Sequence, residues 1–167
     1  MKLVVHDLAH EEYAAWFGES TADTEIIEND GGIRSCFGCF GCWVRTPGAC
    51  VLKDGYQHMG EKLAACDELV LISRCVYGSY SPFVRNILER SISYLLPYFV
   101  KQNGETHHRN RYDHSFKLTV HFYGEAITDA ERNTARELTA ANAINLYARE
   151  VQVAFHNSPQ ASGEGWQ

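Results

Sequence analysis

Five short β-type runs recur along the chain with helical patterns between them, and this alternation constrains the fold more than any other feature. Leu3-Val4-Val5 and Leu69-Val70-Leu71-Ile72 are continuous apolar runs of strand length, the pattern of strands covered on both faces. Thr24-Glu25-Ile26-Ile27, Leu118-Thr119-Val120-His121-Phe122-Tyr123 and Val151-Gln152-Val153-Ala154-Phe155 are rich in β-branched and aromatic residues. The helical patterns cover residues 10–17 and 54–65, a stretch from Ser81 through Leu95 that Pro97 ends or kinks, and residues 128–147. Ser81-Pro82 reads as an N-cap followed by proline at the first helical position, and Thr128-Asp129-Ala130-Glu131 reads as a capping box. Strand–helix alternation implies right-handed crossovers and an α/β, doubly wound, five-stranded parallel sheet of order 2-1-3-4-5 with helices on both faces. In that order ligands bind beyond the C-terminal ends of strands one and three, so the loops after Asp7, Ile72 and Tyr123 are the ones to inspect.

At 167 residues with 45% hydrophobic and 22% charged residues, the chain is expected to form one domain over residues 1–167, with 157–167 as a loose tail. Its core needs no disulfide or metal staple at this length. A net charge of −6 without clustered Lys or Arg argues against nucleic acid and anionic membrane as partners. No run approaches the ~18 apolar residues of a membrane span, and Met1 leads directly into a short strand run without a signal-peptide pattern, so a cytoplasmic location is expected. In a reducing compartment the six cysteines are expected as thiols or ligands rather than disulfides.

The most distinctive segment is Cys36-Phe37-Gly38-Cys39-Phe40-Gly41-Cys42-Trp43-Val44-Arg45-Thr46-Pro47-Gly48-Ala49-Cys50, followed by Lys53-Asp54. It resembles the cysteine-rich loop of the flavodoxin-like NADPH-dependent FMN reductases. Downstream, Ser73-Arg74-Cys75-Val76-Tyr77-Gly78-Ser79-Tyr80-Ser81 resembles that family's loop after strand three, although Cys75 stands where the family usually has proline. The resemblance implies a flavodoxin-like domain that binds FMN and passes hydride from NAD(P)H through the flavin to an acceptor. It also implies that the ring lies against Arg74, Cys75, Val76, Tyr77, Gly78, Ser79, Tyr80 and Ser81; Gly124, in the loop after the fourth strand run, is expected in the same crevice from the winding order. Gly78 permits close backbone approach, Ser79 adds donors, and Tyr77 or Tyr80 is placed to cover a ring face. No side chain stands out as an acid, base or nucleophile, so these are binding residues.

The chain departs from the family after strand one. Such flavoproteins wrap the FMN phosphate in a glycine-rich loop at a helix N-terminus, where unpaired N–H groups and the helix dipole attract the anion. Here the sequence is Asp7-Leu8-Ala9-His10-Glu11-Glu12, with no glycine and three acids. Two readings stay open. FMN is held by the ring loop with phosphate contacts from elsewhere, Arg34 and Arg74 being candidates, or the domain is a non-catalytic binding subunit that has lost the flavin.

The C-x2-C-x2-C-x7-C spacing of Cys36, Cys39, Cys42 and Cys50 also resembles the motif of iron-sulfur flavoproteins, in which four thiolates hold a [4Fe–4S] cluster. The Cys-Trp-Val-Arg-Thr-Pro-Gly context matches the plain reductases better, and reduced thiols without metal are expected. Residues 102–114, with His107, His108 and His114, read as a polar surface loop rather than a metal site. The apolar stretch from Tyr94 to Phe99 is a candidate contact for a homodimer.

Overall fold

The structure, a computed structural model, describes residues 1–18 and 21–160. The elements are β1 (Lys2–His6), α1 (His10–Phe17), β2 (Thr24–Ile27), α2 (Gly41–Val44), α3 (Met59–Ala65), β3 (Glu68–Arg74), α4 (Pro82–Arg90), β4 (Leu95–Gln102), β5 (Glu105–Asn110), β6 (Lys117–Tyr123), α5 (Asp129–Asn145) and β7 (Glu150–His156). Five strands form one parallel sheet in the order β2-β1-β3-β6-β7. Counted along that sheet alone the order is 2-1-3-4-5, the expected flavodoxin-like winding. All five expected strand runs lie in it.

The pleat divides the apolar side chains between two cores. Leu3, Val5, Leu69, Leu71, Leu118, Val120 and Phe122 face α3, α4 and α5, where they pack with Met59, Leu63, Val84, Ile87 and Ala135. Val4, Val70 and Ile72 face α1 and meet Leu8 and Tyr13. Only α1 is laid over that second face among the described residues, and its β6–β7 half carries Thr119, His121 and His156 instead of an apolar stripe.

The caps behave as the sequence implies. Ser81 Oγ accepts from the Val84 N–H, Pro82 occupies the first turn of α4, and Thr128 and Glu131 form a reciprocal capping box on α5. Three expectations need correction. The helix expected to reach Leu95 is α-helical only to Arg90 and tightens into a 3-10 turn over Ser91–Tyr94, and the expected polar loop is an antiparallel hairpin, β4 with β5. Its turn is Asn103-Gly104, with φ of 53° and 85°, the paired left-handed residues that a two-residue hairpin turn requires. The helix expected from Asp54 begins instead at Met59. Asp54 is engaged elsewhere: its carboxylate receives both Arg90 Nη groups, at 2.6 and 2.8 Å, and the backbone N–H groups of Arg34 and Tyr56.

Of the expected tail, residues 157–160 are described and 161–167 lie outside the described residues. No described helix is long and apolar enough to cross a membrane.

Candidate functional site

Parallel winding brings the C-terminal ends of β1, β3 and β6 to one edge of the sheet, and Asp7 ties them together. One oxygen of its carboxylate accepts the Arg74 N–H at 2.9 Å and the other accepts the Tyr123 hydroxyl at 2.9 Å. Burial, followed by the neighbouring Asp7 carboxylate, holds the Tyr123 phenol well above its usual range, so it is a fixed donor. Above this floor lies an open cavity of about 800 Å³ lined by Asp7, Asn29, Arg74, Cys75, Val76, Tyr77, Ser81, Phe83, Tyr123 and Glu131. A second, of about 630 Å³, adjoins it through Arg74, Cys75, Tyr123 and Glu131 and extends over Gly124, Glu125 and Asn157. Each falls within the range of small-molecule sites.

The loop after β3 is a tight turn. Val76 and Ser79 exchange backbone hydrogen bonds at 2.9 and 3.0 Å, so Tyr77 and Gly78 occupy the corner with φ of 53° and 76°. Tyr77 is a bulky residue in the left-handed region, and its side chain stands 89% exposed at the cavity rim. The turn's two backbone bonds hold Tyr77 in a conformation that glycine or asparagine would adopt at less cost, and its ring is left standing over the cavity instead of packing into the core.

The candidate residues divide between two surfaces. Arg74, Cys75, Val76, Tyr77, Ser81 and Gly124 line the crevice. Gly78 instead faces α5, where an added Cβ would stand 2.7 Å from Thr134 Cβ and 2.9 Å from the Glu131 carbonyl. Ser79 and Tyr80 line a different, more apolar cavity with Leu138 and Asn142. Tyr80 is buried there, stacked on Phe122 and hydrogen-bonded to Thr139 and Asn142. Arg34 lines neither part of the crevice; its backbone binds Asp54 and Arg90. Tyr123, Phe83 and Glu131 are crevice residues that sequence reasoning missed. Tyr123 had a signal, as the last residue of the fourth strand run.

Cys36, Cys39, Cys42 and Cys50 do converge, on a separate apolar cavity of about 500 Å³ with Phe40, Trp43, Leu88, Arg90 and Ile92. Among the described residues no group of three or more His, Cys, Asp or Glu side chains is arranged to hold a metal ion. Burial raises the Cys42 and Cys75 thiols and pushes Cys66 up to about 12, which keeps all three protonated and poor nucleophiles.

The histidines of the hairpin region diverge. His107 bonds Glu105 and Asn145, His108 bonds the Leu96 carbonyl, and His114 bonds the Cys66 carbonyl. The apolar stretch before them is split: Tyr94 and Leu95 are core residues, while Tyr98 and Phe99 are exposed on β4.

No protein-family model and no curated protein matches the chain. Solved structures do, at low identity. A NAD(P)H:quinone oxidoreductase from Methanothermobacter marburgensis matches with a TM-score of 0.59 and 13% identity, over 98% of this chain and 93% of that one. An azoreductase from Bacillus anthracis matches with a TM-score of 0.59 and 9% identity, over 98% and 90%. General stress protein 14 from Treponema denticola, solved in complex with FMN, matches with a TM-score of 0.55 and 11% identity, over 98% and 91%. These likenesses establish a shared fold.

Proposed function

We propose that the protein is an oxidoreductase that receives a flavin ring in the crevice beyond β3 and β6 and uses it to pass hydride from NAD(P)H to an acceptor. The observation that carries this reading is Tyr77, an exposed aromatic in a strained conformation at the rim of the cavity where this fold places its ligands. The solved structures of the same fold include an FMN complex and a NAD(P)H:quinone oxidoreductase, which agrees with the reading.

The ring half of the site fits such a group. Tyr77 offers an aromatic face, Val76, Cys75 and Phe83 an apolar wall, and Arg74 and Tyr123 polar groups at the floor. When bound, the flavin supplies the two-electron chemistry. The residues of the crevice position the ring, shield one of its faces from water and keep a fixed hydrogen-bonding floor through the Asp7 bridge to Arg74 and Tyr123.

Under anaerobic conditions, NADH or NADPH is expected to bleach the visible absorbance of flavin much faster with the protein than without it. Equal rates would sink the assignment. Tyr77→Gly separates the ring contact from folding. It relieves the left-handed strain but frees the unfolded chain, two effects of opposite sign, so stability should stay within about 1 kcal/mol of the parent in urea unfolding. Flavin affinity should fall roughly tenfold, the loss of one aromatic stacking contact.

A further inference from the structure

We propose that the crevice selects a flavin whose side chain ends as a neutral polyol, riboflavin being the simplest, over one that ends in a phosphate; the proposal rests on the flavin reading above. A phosphate dianion needs converging N–H donors and positive charge, and the place where this fold supplies them has been rebuilt with carboxylates. The loop between β1 and α1 is three residues long, without glycine, and its Leu8 is buried in the core. Ala9 caps α1 without a side-chain bond, and Glu11 and Glu12 already occupy the first turn.

The charges around the crevice point the same way. Asp7 and Glu131 line the main cavity, Glu125 lines the adjoining one, and Glu12 is near enough to act electrostatically on the Tyr123 hydroxyl. Against these four carboxylates, Arg74 is the one cationic side chain lining either cavity among the described residues. The N-terminus of α4 compensates little, because Pro82 has no N–H and the Val84 N–H is taken by Ser81 Oγ, which leaves the Phe83 N–H as the one donor of its first three residues not removed in this way.

A polyol meets the same groups differently. Hydroxyls donate to carboxylates, and each oxygen of Asp7 has accepted only one of the bonds its lone pairs allow. The feature that repels a dianion therefore binds a sugar-alcohol chain.

The test is a fluorescence titration with riboflavin, FMN and lumiflavin, which lacks the whole side chain, at low and high salt. Riboflavin should bind at least roughly tenfold more tightly than FMN at low salt, and the gap should narrow as salt screens the carboxylates. Asp7→Asn keeps both bonds in place, its amide oxygen accepting from Arg74 N–H and its amide nitrogen donating to Tyr123. It should strengthen FMN binding severalfold without strengthening riboflavin. Glu12→Gln, on an exposed helix surface, should shift FMN the same way by less. FMN binding as tightly as riboflavin to the parent protein would overturn this selectivity while leaving the ring site standing. Failure of all three flavins to bind would overturn both.

Discussion

Asp54→Ala is expected to lower the free energy of unfolding by about 3–5 kcal/mol, because it strands a buried guanidinium. Arg90 is 1% exposed, and its side chain meets the Asp54 carboxylate and the carbonyls of Arg34 and Leu52. The pair ties the segment just beyond the cysteine-bearing loop to the end of α4. Converting both partners to apolar residues, as in Asp54→Ala with Arg90→Met, should restore part of the loss, since the charge leaves along with its partner. Urea unfolding of the single and double variants checks this, and a double variant no more stable than Asp54→Ala alone would contradict it. The Arg90 hydrogen bonds hold the Asp54 carboxyl far below the usual carboxylate range. A depressed carboxyl stabilises fully above its unfolded value of about 3.9 and loses that contribution as pH falls towards the folded value. Asp54 should therefore leave stability unchanged across neutral pH.

His6 should make the protein lose stability in a higher window. It is fully buried at the end of β1 and stacked on Tyr13 with ring centroids 4.0 Å apart and planes 4° from parallel. Neither ring nitrogen has a hydrogen-bond partner in the structure, and burial lowers its pKa from 6.5 to about 4. The unfolded chain takes up a proton between those values while the folded chain does not, so stability is full above about 6.5 and falls as pH drops to about 4. The loss over that window is on the order of 3 kcal/mol. His121, also lowered to about 4 but partly exposed, adds a smaller loss in the same window. His6→Phe keeps a flat ring against Tyr13 and removes the titration, so its stability should vary much less between pH 7 and pH 4.5, a span that brackets most of this transition. An unchanged pH slope in that variant would show that His6 is not buried neutral.

These two residues mark the limit of what the sequence reveals. The sheet was legible because strands buried on both faces carry runs such as Leu69-Val70-Leu71-Ile72 that few other structures tolerate. Helix starts were legible where side chains cap them, at Ser81 and Thr128. The hairpin was not, because β4 and β5 lie outside the main sheet and alternate imperfectly. Asn103-Gly104 was the signal, and its polarity read as a loop instead. The start of α3 was misplaced for a different reason: Asp54 resembles a helix cap, and only the fold brings Arg90 to it across 36 residues.

The crevice was half legible. The loop from Arg74 to Ser81 stood out by its residues, but which of them face a ligand depends on a turn that rotates Gly78 towards α5 and Tyr77 outward. The missing glycine loop could be read directly. That Asp7 bridges β3 and β6 could not, since Tyr123 is 116 residues away. The four cysteines share a cavity as their spacing suggested, yet that cavity is apart from the crevice and backed by Arg90.

The most direct test of the central claim is titration of lumiflavin, the bare ring, into the purified protein while flavin fluorescence is followed, with Tyr77→Gly in parallel. The account predicts saturable quenching at one site per chain, weakened roughly tenfold by the substitution. Absence of saturable quenching in the parent protein, or equal affinity in the two proteins, would contradict a flavin site built on Tyr77.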